Sequence, residues 1–285
     1  MLHSFTIGTS MNREISNFLS DSDLNRIAPS IFADAAHSSR SSRYAYIPTS
    51  RVIEGLRSEG FAPVKVQVAR VRDNGRAGFE KHMIRFRQLD SIVKVGEVHP
   101  EVVLVNSHDG STSYKLAAGL FRLVCSNGLV IPQGDLDEVR IKHTGSNIIR
   151  DVIDGSFKVL EQSKLGLESA DRWSQLQLTT GEQTALAIGA HHARFADAAG
   201  NVETPIEAAQ LLRARRSADN KNDLWTTFNR IQENAIKGGL RGVERSPDGT
   251  RRHVTTREVK GIDGNLNLNK AIWKMAEHLA GLKAA

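Results

Sequence analysis

The chain has 285 residues, a net charge of +6, 40% hydrophobic and 25% charged side chains, and a single cysteine. That composition excludes a disulfide scaffold, a low-complexity chain and, with no long apolar run, a protein spanning a bilayer by helices; it leaves room for one large or two modest domains. The cationic excess is small and spread over both halves, so it permits contact with phosphates without demanding it, and the opening MLHSFTIGTS lacks the order of a secretion signal, so a cytoplasmic protein is expected.

Asp21 and Asp23 precede LNRIAPSIFADAA, where Leu24, Ile27, Ile31 and Phe32 recur at helical spacing and Pro29 divides the run into two short helical pieces. Ser38 to Arg43 reads as a polar hinge, and Tyr44 to Ile47 as a short strand. Thr49 or Ser50 is placed to cap a helix over Arg51 to Glu59, stopped by Gly60. Val64, Val66 and Val68 then alternate with Lys65 and Gln67, the period of a half-buried strand running on through Arg70 and Arg72. After a turn at Asp73 to Gly78, a return strand over Phe79 to Leu89 completes a hairpin. On that strand Lys81, Met83, Arg85 and Arg87 share one face; with Arg70 and Arg72 they would form a cationic sheet face suited to a sugar-phosphate backbone.

The centre of the chain is EVVLVNSHDGSTSYKLAAGLFRLVCSNGLVI, Glu101 to Ile131. Val102 to Val105 has the β-branched composition of a strand buried on both faces, Asp109-Gly110 marks a turn, and Tyr114 to Val124 is apolar again. Arg122, between Phe121 and Leu123, needs acceptors, which His108 or Asp109 would supply. His108, Asp109, Arg122 and Asn127 therefore read as a structural polar network tying the core hairpin together. A strand at Glu138 to Lys142 follows, and from Ser146 the period becomes helical: Asn147 to Glu168 with Gly155 as an interior weakness, a helix capped by Thr179 or Thr180 with Glu182 in its first turn, IEAAQLLRARR opened by Pro205, and LWTTFNRIQENAIK capped by Asp223 and ended by Gly238-Gly239. Residues 240–264 read as a long basic loop containing Arg241, Arg245, Arg251, Arg252, Arg257 and Lys260, and Leu268 to Leu282 as a last helix.

APSIFA at Ala28 to Ala33, RYAYIPT at Arg43 to Thr49, SHDG at Ser107 to Gly110 and GLFRLVCSNGL at Gly119 to Leu129 together resemble the phage- and plasmid-like domain-of-unknown-function family numbered nine-three-two, over about residues 24–160. The helical C-terminal part is similar, more loosely, to an extension carried by one branch of that family. The resemblance implies a gene of mobile elements and carries no catalytic residues onto this chain.

No chemistry is announced by motif. Ser107-His108-Asp109 are adjacent, whereas a hydrolytic triad joins side chains from separate segments. His82, His108, Asp109 and His143 lie near strand ends without a recognised ligand spacing, and adjacent His191 and His192 diverge by about 100 degrees on a helix. Neither phosphate-binding glycine motif occurs, and Cys125 sits in apolar sequence. The expectation is an α+β protein: a β-rich module over 1–145 and a helical region over 146–285. It is read as a non-catalytic nucleic-acid-binding protein of a phage or plasmid, for single-strand DNA binding, annealing or recombination support, with Arg70, Arg72, Lys81, Arg85, Arg87, Arg251 and Arg252 as its contacts, no cofactor or metal, and a homo-oligomeric form. Arg213, Arg215 and Arg216 are further candidate cations. The alternatives are a protein-interaction factor, such as a host-defence inhibitor or self-assembling protein, and a metal-dependent enzyme centred on His108 and Asp109.

Overall fold

The computed structural model describes residues 18–70, 74–89, 98–122, 127–131, 138–144, 147–245 and 248–284. The chain is an α+β protein that divides into two compact units, one formed by Met1–Val93, Pro100–Gly119 and Glu138–Glu161, the other by Lys94–His99, Leu120–Asp137 and Gln162–Ala285.

In the first unit, α1 (Asp21–Ile27) is closed by a capping box between Ser20 and Asp23, and a 3-10 turn follows at Pro29–Phe32, so the proline splits the segment as expected. Tyr44 to Ile47 is not a strand; among the described residues it makes one strand-like backbone bond, from Ala45 N to His143 O (2.8 Å). Helix α2 (Thr49–Ser58) buries Val52, Ile53 and Leu56, and Gly60 turns the chain with φ 79°. The helix is entered from Pro48 with no side-chain cap, so the expected capping role of Thr49 or Ser50 is not taken up. The Thr49 hydroxyl is used elsewhere.

Strands β1 (Phe61–Val68), β2 (His82–Gln88), β3 (Val98–Asn106), β4 (Tyr114–Arg122), β5 (Asn127–Ile131) and β6 (Val139–Ile141) form a sheet in the order β1-β2-β3-β4-β5, with β6 on β4. The β1–β2, β2–β3 and β4–β6 pairs are antiparallel, with Val68 opposite His82, His82 opposite Asn106 and Tyr114 opposite Ile141. Val102 to Val105 is buried throughout, as its composition demands of a central strand. Strand β1 ends at Val68 and does not reach Arg70, which is exposed beyond it; Arg72 lies outside the described residues.

Helix α3 (Ile148–Gln175) is seven residues longer at its C-terminus than its periodicity suggests, and Gly155 is not a weakness in it. A Cβ there would stand 2.7 Å from Leu116 Cδ1 and 3.3 Å from Val139 Cγ1, so the glycine lets the helix lie close on β4 and β6.

The second unit is built around α5 (Leu224–Lys237), capped by Asp223, whose residues from Leu224 to Ile236 are all buried. Its polar side chains are bonded inward: Gln232 donates to Asn269 Oδ1 (2.8 Å) and Asn234 to the carbonyls of Leu211 and Arg213 (both 2.9 Å). Around it stand α4 (Thr180–Phe195), with a Thr179–Glu182 capping box, and α6 (Ile262–Ala284). Trp173 from α3, Phe228 and Trp273 meet with ring centroids 4.4 to 5.8 Å apart, an aromatic core that buries large apolar area. The segment after Pro205 forms only a 3-10 turn, Ala208–Leu212, in place of the expected helix. Residues 240–264 are not a loop: β7 (Arg241–Arg245) and β8 (Arg251–Thr255) pair as an antiparallel ribbon.

Gly238 (φ 66°, ψ −143°) sets the approach of that ribbon, because a Cβ there would meet Arg257 O at 2.7 Å and Thr256 O at 2.8 Å. Gly239 also has positive φ (79°), but a Cβ there meets nothing within 4 Å. Gly238→Ala is expected to cost roughly 3 kcal/mol, from a glycine-only backbone region plus overlap with backbone oxygens, against about 1 kcal/mol for Gly239→Ala. Urea unfolding of the two variants measures the difference; equal losses would contradict this account of the junction.

Candidate nucleic-acid interface

Strand pairing decides where the cations point. Glu101 stands on β3 beside β2, and its carboxylate accepts from Arg85 Nε and from Arg87 Nε (2.9 Å). Glu101 is fully buried, Arg85 is 3% exposed, and the Arg85 guanidinium lies over Gly119, where a Cβ would stand 2.9 Å from Arg85 Nη2. The expected cationic face over Arg85 and Arg87 is therefore corrected: β2 is buried on both faces for most of its length, and the charges are spent on an internal carboxylate. Lys81 precedes β2 and is half-buried.

The core hairpin holds a second polar group. Thr49 Oγ1 is shared by His82 Nε2 (2.9 Å), His108 Nε2 (3.1 Å) and Asn106 Nδ2 (3.0 Å), while His143 Nε2 meets Asn106 Oδ1 (2.9 Å) and His82 Nδ1 meets Glu80 O (3.1 Å) and Ser30 Oγ (3.0 Å). With the amide oxygen toward His143, the protons follow by elimination. A carbonyl only accepts, so His82 carries its proton on Nδ1 and takes the Thr49 O–H on Nε2; His108 must then donate from Nε2. This leaves the buried Nδ1 atoms of His108 and His143 as bare acceptors. Tyr44 stacks on His143 at 4.6 Å and Tyr46 meets His108 edge-on at 5.2 Å.

Burial pushes all three imidazoles toward the neutral form, His82 and His143 to about 4 and His108 to about 3, the last helped by its two histidine neighbours. Burial alone would raise the Asp109 carboxyl, but bonds from Ser111, Ser107 and Arg76 outweigh it and hold the group below its ordinary value. Ser107 and Asp109 are thus tied to each other and to Ser111, Ser107 also receiving the Thr112 N–H (3.0 Å) and Asp109 the Ser111 N–H (2.8 Å), while His108 between them turns away to Thr49. Among the described residues, no group of three His, Cys, Asp or Glu side chains is arranged to hold a metal ion.

Arg122 does not join this network. Its Nη1 donates to Asp219 Oδ1 (2.7 Å), and Asp219 also binds Arg216 (2.6 Å), which reaches Glu233 (2.7 Å); the acceptor proposed from sequence was His108 or Asp109, and the partner lies about a hundred residues further on. Arg215 donates to Asn234 Oδ1 (2.8 Å) and to the Gly238 carbonyl, and Arg213 is exposed. Asn127 opens β5, its side chain and Cys125 lying outside the described residues.

The ribbon is different. Its register sets Arg241 opposite Thr255, Val243 opposite His253 and Arg245 opposite Arg251, so these six share one face and all are exposed. The other face carries Gly242, Glu244, Arg252 and Val254. Glu244 accepts from Arg252 (2.5 and 2.9 Å) on that face, and Gly242 passes so close to Pro205 that a Cβ would stand 2.5 Å from its carbonyl oxygen. The ribbon's carboxylate is thus paired on the inner side, and the outer side presents three guanidiniums and an imidazole with no acid between them among the described residues. Of the contacts proposed from sequence, Arg251 belongs to this face and Arg252 does not; Arg241 and Arg245, legible as loop cations, are contacts the sequence does not single out, and His253 carries no signal of its own there. Pro247-Asp248-Gly249 between polar alternating flanks was the signal that would have found them.

The sequence profile of the family described as "Domain of unknown function (DUF932)" matches residues 36–273. The chain belongs to that family. The chain is 45% identical over 261 residues to UPF0380 protein YafZ and 44% identical over 261 residues to UPF0380 protein YfjQ, both of Escherichia coli (strain K12), each match covering 92% of this chain and 91% of the relative. No solved structure matches. The family is thus shown over a longer stretch than residues 24–160, and includes most of the helical C-terminal part. Among the described residues, no helix is long and apolar enough to cross a membrane.

Two outcomes test the internal chemistry. Glu101→Gln removes the charge that holds Arg85 and Arg87, and is expected to destabilise the fold by about 3–5 kcal/mol in urea unfolding; a loss below about 1 kcal/mol would show that the pair is not held by it. The histidines make stability depend on pH. Their folded values lie below the unfolded value near 6.5, so as pH falls from 6.5 toward 4 the unfolded chain binds protons that the folded chain refuses. Stability is lost in that window, by roughly 1.4 kcal/mol per pH unit for each histidine, continuing to about 3 for His108. Urea unfolding at pH 7 and pH 5 should show the loss, and His143→Gln should make it shallower; equal stability at the two pH values would contradict the neutral cluster.

Proposed function

We propose that this protein binds nucleic acid through the β7–β8 ribbon, as a non-catalytic factor in the maintenance or recombination of phage or plasmid DNA. The single observation that supports it is the acid-free outer face formed by Arg241, Arg245, Arg251 and His253. Arg245 and Arg251 stand directly opposite one another, an arrangement of like charges that destabilises an isolated ribbon. An anionic polymer relieves that repulsion and releases counterions as it binds, which a row of exposed guanidiniums is suited to exploit. Binding is favoured over chemistry because the histidines that would carry acid-base work are buried and bonded to one another through Thr49 and Asn106. This reading moves the interface from the N-terminal hairpin, where Arg85 and Arg87 are committed to Glu101, to the C-terminal ribbon.

The test is retention of the full-length protein on DNA as salt is raised. Arg245→Ala together with Arg251→Ala is expected to weaken binding at least tenfold at low salt and to flatten the slope of log K against log salt by about 2, with the thermal unfolding midpoint no lower than that of the parent protein. Unchanged affinity and slope in the double variant would remove the ribbon from the interface.

A further inference from the structure

We infer that the ribbon takes duplex DNA in particular, by entering the major groove with its outer face toward the base edges; this rests on the nucleic-acid reading above. The major groove of B-form DNA is about 12 Å wide and admits a two-stranded antiparallel ribbon. Five paired positions give the ribbon a length of roughly 17 Å, and two strands about 4.8 Å apart with their side chains give a width comparable to the groove.

The burial pattern shows an arm anchored at one end. Near its base the inner face is covered, Gly242 against Pro205 and Val254 half-buried, while further out Glu244 and Arg252 on the same inner face are 48% and 73% exposed. The distal half is therefore open on both sides, as a groove-entering element must be. Beyond it, Asp248 Oδ1 accepts the Thr250 N–H (2.9 Å) and Gly249 takes φ 85°, so the chain turns locally as it enters β8. Arg245 and Arg251, the outermost pair, carry planar forks that match the phosphates lining the groove as well as the O6 and N7 acceptors of guanine, and Arg241, at the anchored end, is placed for a phosphate.

The same face argues against the other nucleic acids. Sequence-tolerant binding of single strands relies on aromatic platforms, and the stretch from Arg241 to Thr255 contains no Phe, Tyr or Trp. A-form RNA duplexes have a deep, narrow major groove that side chains do not read, so the ribbon does not fit them. The single-strand preference expected from sequence is replaced by a duplex one.

The experiment is fluorescence anisotropy of the full-length protein with a 20-base-pair DNA duplex, one of its single strands, and an RNA duplex of the same sequence, at one salt concentration, repeated on the DNA duplex with methyl green to occupy the major groove and netropsin to occupy the minor groove. The expected result is at least tenfold tighter binding to the DNA duplex than to the other two, competition by methyl green and indifference to netropsin. Comparable affinity for all three polymers, or displacement by netropsin alone, overturns the major-groove inference while leaving nucleic-acid binding in place. No binding to any of the three at low salt overturns both.

Discussion

A single buried carboxylate, Glu101, fixes the meaning of the charge on this protein. It draws Arg85 and Arg87 of the neighbouring strand into the interior, where one guanidinium is covered by Gly119 and both face the same acid. A cation left in that position without its acid would lose several kcal/mol to desolvation, so pairing and burial are one requirement. The consequence is that β2 is a core strand on both faces and cannot also be a phosphate-binding surface. The same logic recurs in the second unit, where Arg122 and Arg216 close on Asp219, and Arg216 on Glu233. The ribbon's outer face stands apart because its charges meet no carboxylate across the strands.

The histidine group shows how polar residues build the core hairpin. One threonine hydroxyl donates once and accepts twice, and so fixes the tautomers of two imidazoles and, through Asn106, of a third. Each member comes from a different segment: α2, β2, the end of β3, the turn after it, and the residues following β6. Such a network specifies the arrangement of these segments more sharply than apolar contact does, because a displaced member leaves a buried group unsatisfied. Helix α2 lacks a side-chain cap because its N-cap is Pro48, which has no side-chain acceptor, and its first residue, Thr49, faces inward to hold the histidines.

Much of this architecture is legible in the sequence where a local signal has one physical meaning. The Thr179–Glu182 capping box, the Asp223 cap, the Pro29 break and the run Val102 to Val105 each point to one structure, and that structure is present. Errors arose where the deciding partner is remote. Nothing near Arg85 in sequence shows that Glu101 will stand beside it, and nothing near Arg122 shows Asp219. The ribbon reads as a loop in sequence because its flanks alternate between charged residues and Val or Gly, which gives no hydrophobic period, while the Pro-Asp-Gly turn stays legible. Arg251 was therefore identified for its charge, whereas its neighbours on the same face required the register.

The central claim is that the cations of the β1–β2 hairpin are structural and those of the β7–β8 ribbon face a partner. Amide hydrogen exchange of the full-length protein, with and without saturating duplex DNA, tests it most directly. The account predicts new protection over Arg241–Arg245 and Arg251–Thr255 with none over Phe61–Val68 and His82–Gln88. Protection of the β1–β2 hairpin with the ribbon unchanged would contradict it.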